Sequence, residues 1–126
     1  MAEHTERARV AWVDTDAGGR IHFTAAFRWA EAAEVGLYRK LGLLEGWKGE
    51  FPRRHVEAEY LRVLRFEDEV EVRLRVAKVG RTSITFTWEI THDGELAVRG
   101  AHTVVQVDEG GRPAPLDARR RALLTA

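Results

Sequence analysis

The segment WVDTDAGGRIHF, residues 12–23, decides how the rest of the chain is read. Two aspartates, Asp14 and Asp16, stand one residue apart and are followed by Gly18-Gly19, then His22 and Phe23. Upstream, residues 6–13 contain RARVAWV, whose valines and tryptophan predict a strand. The Asp/Gly run at 14–20 breaks that strand. Downstream, AAFRWAEAAEVGLYRKL predicts a helix from Ala25 to about Leu41, since it holds strong helix formers and no proline. Its apolar residues, among them Ala26, Phe27, Trp29, Ala33 and Leu37, exceed one narrow stripe, which predicts a buried helix. Thr24 is placed to cap that helix with its hydroxyl. Gly42 is placed to end it, with Arg39 and Lys40 in the last turn. Acidic groups and flexible glycines therefore stand at the mouth of the most buried element.

After a loop holding Gly46, Gly49 and Pro52, the period changes to two. Val70, Val72, Leu74 and Val76 alternate with charged residues, and Ile84, Phe86, Trp88 and Ile90 alternate with polar ones, as in strands with one face on a core. Gly80-Arg81 is the expected turn between them. His92-Asp93-Gly94 is a second turn, with Asp-Gly a hairpin signal. Leu96–Val107 is read as a third long strand, bulged at Gly100, and residues 54–64 as another. A short helix is expected from Asp117, after Pro113 and Pro115 end the sheet. One strand, a buried helix and four further strands make an α+β chain. The economical packing is a curved antiparallel β-sheet wrapped around one long central helix. Such a sheet leaves edge strands, so pairing with a second copy is expected, as a homodimer or homotetramer.

Composition bounds the function. The 126 residues suit a single domain, 1–126. Lysine plus arginine and aspartate plus glutamate number 20 each, and this balance argues against a nucleic-acid partner. The most basic cluster, Arg119-Arg120-Arg121, reads as a solvated helix face, with a phosphate contact as the other reading. The chain has no cysteine, which excludes disulfide scaffolds, thiolate metal sites and thiol nucleophiles. No apolar run approaches the roughly 18 residues of a membrane span, and the opening MAEHTERARV is too charged for a secretory signal. The expectation is a cytoplasmic protein with no membrane contact.

The order of strand, DTDAGG, buried helix and four long strands resembles the hotdog-fold acyl-CoA thioesterases. The closest branch is the 4-hydroxybenzoyl-CoA thioesterase and YbgC-like family. The motif reads Asp14-Thr15-Asp16-Ala17-Gly18-Gly19-Arg20-Ile21-His22-Phe23, and the likeness continues through EAEYLRVLRFEDEVEVRLRV, VGRTSITFTWEI and VDEGGRPAPL. The resemblance implies a hotdog fold and hydrolysis of a thioester to a free acid and coenzyme A, with no cofactor and no metal. The substrate it implies is an acyl-CoA or an acyl carrier protein thioester. It gives the chemistry to Asp16, as nucleophile or as the base that activates water, and the oxyanion donor to the backbone N–H of Phe23. Gly18, Gly19, His22, Thr24, Ala26 and Arg81 fall at positions implied to meet the substrate. Two departures stand out. The branch has Tyr-His where this chain has His22-Phe23, so a histidine role is not carried over. The family's tyrosine three residues after its histidine is Ala26, which implies a larger acyl pocket.

The chemistry is sound without a metal, because a thioester is reactive and a placed carboxylate with an oxyanion site suffices. Free N–H groups and the positive dipole end lie where the buried helix starts. Asp14 is expected to order the loop by accepting N–H bonds, and glycines let the loop bend close to the acyl group. The bland alternative is that both aspartates only shape a strand-to-helix turn. His55 and His102 read as ordinary sheet residues, and Arg81 as either a coenzyme A contact or a solvated turn residue. Three other functions stay open: a hydratase or dehydratase pairing His22 with Asp16, a non-catalytic acyl-CoA or carrier-protein binding module, and a metal site from Asp14, Asp16 and His22.

Overall fold

The structure is a computed structural model describing residues 1–46 and 51–126. Five antiparallel strands form one sheet in the order β1-β3-β4-β5-β2, where β1 is Glu3–Arg9, β2 Arg53–Tyr60, β3 Glu69–Val79, β4 Ser83–His92 and β5 Glu95–Val105. The central helix α1 spans Ala25–Lys40 and a second helix α2 spans Ala118–Thr125. The layout is the expected α+β one. Gly49, assigned above to the loop after α1, lies outside the described residues.

The period-two pattern sorts the sheet as expected. Val72, Leu74, Ile84, Phe86, Trp88 and Ile90 are buried beneath α1, while Glu71, Arg73 and Glu89 face outward. Each fully buried large side chain stabilises the fold by roughly 1.5–3 kcal/mol of apolar transfer. Phe27 of α1 meets Trp88 edge to face at 5.9 Å, and Tyr38 meets Phe86 at 6.3 Å, so both halves of the helix seat on β4. Gly42 takes a positive φ of 72°, and the Leu43 N–H donates to the Tyr38 carbonyl, closing the helix where the sequence predicts. Asp93 and Gly94, both at positive φ, make the two-residue hairpin turn between β4 and β5. Asp117 caps α2 by accepting from the Arg120 N–H at 2.7 Å.

Several local expectations change. The first strand ends at Arg9, and Trp12–Asp14 form a 3₁₀ turn, because the Asp14 carboxylate accepts the Ala11 N–H at 2.8 Å and curls the chain. The strand expected over 54–64 stops at Tyr60, where the Leu61 and Arg62 N–H groups both turn to the Ala97 carbonyl. Gly100 carries no bulge; it pairs in register with Trp88, and the β4–β5 irregularity falls at Ile90/Thr91. Glycine is needed there for another reason. A Cβ at position 100 would lie 2.4 Å from the Trp88 ring, which lies across β5 at that point. The three C-terminal arginines are tethers rather than a solvated face: Arg119 donates to the Gly42 carbonyl, Arg120 to Gln106 and Arg121 to the Gly80 carbonyl.

Candidate active site

The loop between the 3₁₀ turn and α1 is a small antiparallel ladder. Thr15 pairs with Ile21, the Asp16 N–H donates to the Arg20 carbonyl at 2.8 Å, and the His22 N–H to the Asp14 carbonyl at 2.7 Å. Side chains alternate across such a ladder. Ile21 goes to the core side and is partly buried, which leaves Asp16, Arg20 and His22 on the outer side. Gly19 closes the loop at a φ of 79°, a conformation that favours glycine.

The two aspartates have different surroundings. Asp14 is buried, and both its oxygens are taken: one accepts the Ala11 N–H, the other the Arg28 guanidinium at 2.7 Å. Asp16 is exposed. One of its oxygens accepts the Gly18 N–H at 2.8 Å, and the other has no partner among the described residues. The loop thus points one half of the Asp16 carboxylate and leaves the other half available.

Phe23 follows at the helix mouth. The residue is 62% exposed, and its backbone N–H has no acceptor among the described residues. Its carbonyl accepts the Tyr60 hydroxyl, which ties the helix mouth to the end of edge strand β2. Thr24 occupies the cap position but does not cap. Its backbone is already helical and its hydroxyl is engaged sideways, 2.7 Å from His22 Nδ1 and 3.1 Å from the Arg28 guanidinium. The His22 ring also stacks on Phe23, at a centroid distance of 4.7 Å.

The remaining site candidates separate. Gly18 and Gly19 sit in the loop with Asp16, and Ala26 is fully buried in the core below the helix mouth. Arg81 is not brought to this loop. It lies past the far end of β3, roughly 35 Å of extended strand from Glu69 on the loop side. No hydrogen bond joins His22 to Asp16 among the described residues, so the dyad of a hydratase is not assembled. Asp14, Asp16 and His22 do not converge as metal ligands, and no group of three or more His, Cys, Asp or Glu placed to hold a metal ion is found among the described residues. Two residues absent from the sequence reading belong to the site: Arg28 and Tyr60. The spacing of Thr24 and Arg28, one helical turn apart, was the available signal for the first. Nothing local signals the second, because Tyr60 reaches Phe23 only through the fold.

A further polar cluster lies behind the helix. Glu34, 2% exposed, accepts from His102 Nε2 at 2.8 Å, the Tyr38 hydroxyl at 2.6 Å and Arg53 at 2.7 Å, while the Trp88 indole donates to His102 Nδ1 at 3.2 Å. Burial opposes the charge on Glu34, but the bonds from His102 and Tyr38 and the charge of Arg53 outweigh it and hold the carboxyl below its usual range. Burial, with Glu34 beside it, pushes the Tyr38 hydroxyl well above the usual tyrosine range. His102 is therefore no ordinary sheet residue, whereas His55 is exposed beside Glu57 on β2. No buried side-chain nitrogen or oxygen among the described residues lacks a partner.

No curated protein matches the chain. Among solved structures, a 1,4-dihydroxy-2-naphthoyl-CoA thioesterase from Synechocystis superposes with a TM-score of 0.88 at 17% identity, covering 98% of this chain and 96% of its own. A predicted thioesterase from Bacillus stearothermophilus gives 0.89 at 24% identity, with 98% and 95% covered. The gentisyl-coenzyme A thioesterase BH1999 gives 0.85 at 20%, with 97% and 99% covered. These likenesses establish the hotdog fold. The model of the thioesterase-like superfamily matches residues 10–123, nearly the whole chain, and with it the chain belongs to that superfamily.

Proposed function

We propose that this protein is an acyl-CoA thioesterase of the 4-hydroxybenzoyl-CoA thioesterase and YbgC-like branch, with Asp16 as its catalytic carboxylate. The observation that carries this reading is that an exposed carboxylate with one oxygen free, and an N–H at Phe23 with no acceptor, among the described residues, stand on one short loop at the helix mouth. In one route the Asp16 oxygen adds to the thioester carbon, the C–S bond breaks, coenzyme A leaves as thiolate, and water cleaves the resulting anhydride. In the other, Asp16 takes a proton from water, the hydroxide adds, and the tetrahedral intermediate expels the same thiolate, which then takes up the proton. Both routes place negative charge on the carbonyl oxygen, where the Phe23 N–H and the helix dipole stabilise it. Gly18 holds Asp16, and Gly19 gives the loop its turn.

The active unit in this reading is a homo-oligomer. Trp12, Val13, Phe23, Val56, Tyr60 and Leu61 are large apolar residues left exposed around the loop and along edge strand β2. Such a rim and an unpaired edge favour a second copy as cover. The same second copy is the route by which Arg81 reaches the phosphates of coenzyme A. Light scattering should give at least a dimer of the 14.3 kDa chain, and a monomer at micromolar concentration would contradict it.

The deciding experiment is a panel of aromatic, short-chain and long-chain acyl-CoAs, with thiol release as the readout. Turnover of any member supports the reading. Binding of acyl-CoA without turnover would replace it with the binding-module reading.

A further inference from the structure

His22 stands where the family motif has no histidine, and its hydrogen bonds fix its chemistry. The Thr24 backbone N–H, which only donates, reaches His22 Nδ1 at 3.3 Å, so Nδ1 is an acceptor. The Arg28 guanidinium, which also only donates, reaches the Thr24 hydroxyl oxygen at 3.1 Å. That hydroxyl is left to send its own proton to Nδ1, 2.7 Å away. Arg28 is in turn held by Asp14 at 2.7 Å. The chain of bonds runs Asp14, Arg28, Thr24, His22, each group orienting the next. A hydrogen bond at one imidazole nitrogen decides which nitrogen carries the proton. Here the proton stays on Nε2, which has no partner among the described residues and belongs to an exposed side chain.

The ladder places this N–H beside the loop chemistry. Asp16 is opposite Arg20, and His22 is two residues further along the same outer side. Diagonal neighbours of this kind are roughly 7–8 Å apart, and somewhat less at Cβ. No hydrogen bond joins the two side chains among the described residues, so the open Asp16 oxygen and His22 Nε2 are both left to meet a thioester carbonyl between them. The stacking of His22 on Phe23 keeps the ring next to the residue whose backbone N–H has no acceptor among the described residues.

We propose that His22 is a second oxyanion donor of this thioesterase, giving its Nε2–H to the carbonyl oxygen of the substrate, with Thr24 and Arg28 as positioning residues that hold it in that tautomer. The proposal rests on the thioesterase reading above. It adds a side-chain donor to the backbone N–H of Phe23 and involves no proton transfer by the histidine.

The test uses the full-length protein and whichever acyl-CoA it cleaves best. His22→Phe keeps the ring and removes the donor, so kcat falls about 10²-fold, the scale for losing one oxyanion donor, with KM nearly unchanged. His22→Gln, whose amide reaches as far as Nε2, recovers at least about tenfold of that loss, while His22→Asn, whose amide sits nearer Nδ1, does not. Thr24→Val lowers kcat, and Thr24→Ser restores it. Nitrogen-15 spectra of the free protein read the tautomer directly, with the His22 proton on Nε2. A His22→Phe variant at the wild-type kcat, or a proton found on Nδ1, overturns the proposal and leaves the thioesterase reading standing. A wild-type protein that cleaves no thioester ends both.

Discussion

Glu34 and Asp16 are both carboxylates held beside α1, and their surroundings are opposites. Glu34 sits among Arg53, His102 and Tyr38 with both oxygens bonded and no water-facing edge. Asp16 is exposed, with one oxygen pinned by a backbone N–H and the other open. The first arrangement spends every lone pair on the fold. The second fixes the group through one oxygen and keeps the other back. A saturated buried carboxylate gives rigidity and register, and it cannot meet a substrate. The open one stabilises little and is the one able to act.

Removing either carboxylate should therefore produce different failures. Glu34→Ala leaves the Arg53 charge without its main partner and strands His102 and Tyr38, so stability should fall by about 3–5 kcal/mol. Chemical denaturation checks this, and a loss under about 1 kcal/mol would mean the cluster is not the latch it resembles. Gly100→Ala attacks the same cluster indirectly. The added methyl displaces the Trp88 indole and with it the bond to His102, at about 1–3 kcal/mol of overpacking. An unchanged thermal midpoint would show that the indole moves freely. Asp14→Asn retains an oxygen for the Ala11 N–H but loses the charge facing Arg28, and about 1 kcal/mol is expected.

The smallest effect is in pH. The folded Glu34 carboxyl lies below its unfolded value of 4.5, so its contribution is present above that pH and is lost as pH falls through the folded value. The Tyr38 hydroxyl is raised above 10.0, so its contribution is complete below pH 10 and is lost as pH rises further. Stability measured across pH should decline on both sides of that window. In Glu34→Ala the acid limb should flatten, and an unaltered limb would assign acid unfolding to other groups.

Much of this fold was legible because its signals are local. The alternation at 70–76 and 84–90, the Asp93-Gly94 turn and the apolar face of α1 each act within a few residues, and each appears where the sequence predicts. What was misread depends on partners distant in sequence. Gly100 suggested a bulge because glycine weakens a strand, yet it is there for the ring of Trp88. The Thr24 hydroxyl suggested a cap and instead bonds His22 and Arg28. His102 looked like a sheet residue because Glu34, its partner, is 68 positions away in the chain. At the candidate site, the aspartates and glycines of the motif were readable, but the division between a buried Asp14 and an open Asp16 depends on partners, the Ala11 N–H and Arg28 for Asp14 and the Gly18 N–H for Asp16.

That division is tested most directly by Asp16→Asn, assayed for kcat on the best acyl-CoA and for thermal midpoint in the same buffer. Asparagine keeps the shape and the bond from Gly18 and removes the charge and basicity. The expected result is a fall in kcat of about 10²-fold or more, with KM little changed and the midpoint unmoved. An Asp16→Asn protein that turns over near the wild-type rate, or one that loses activity only because it unfolds, would contradict the assignment of the chemistry to the open carboxylate.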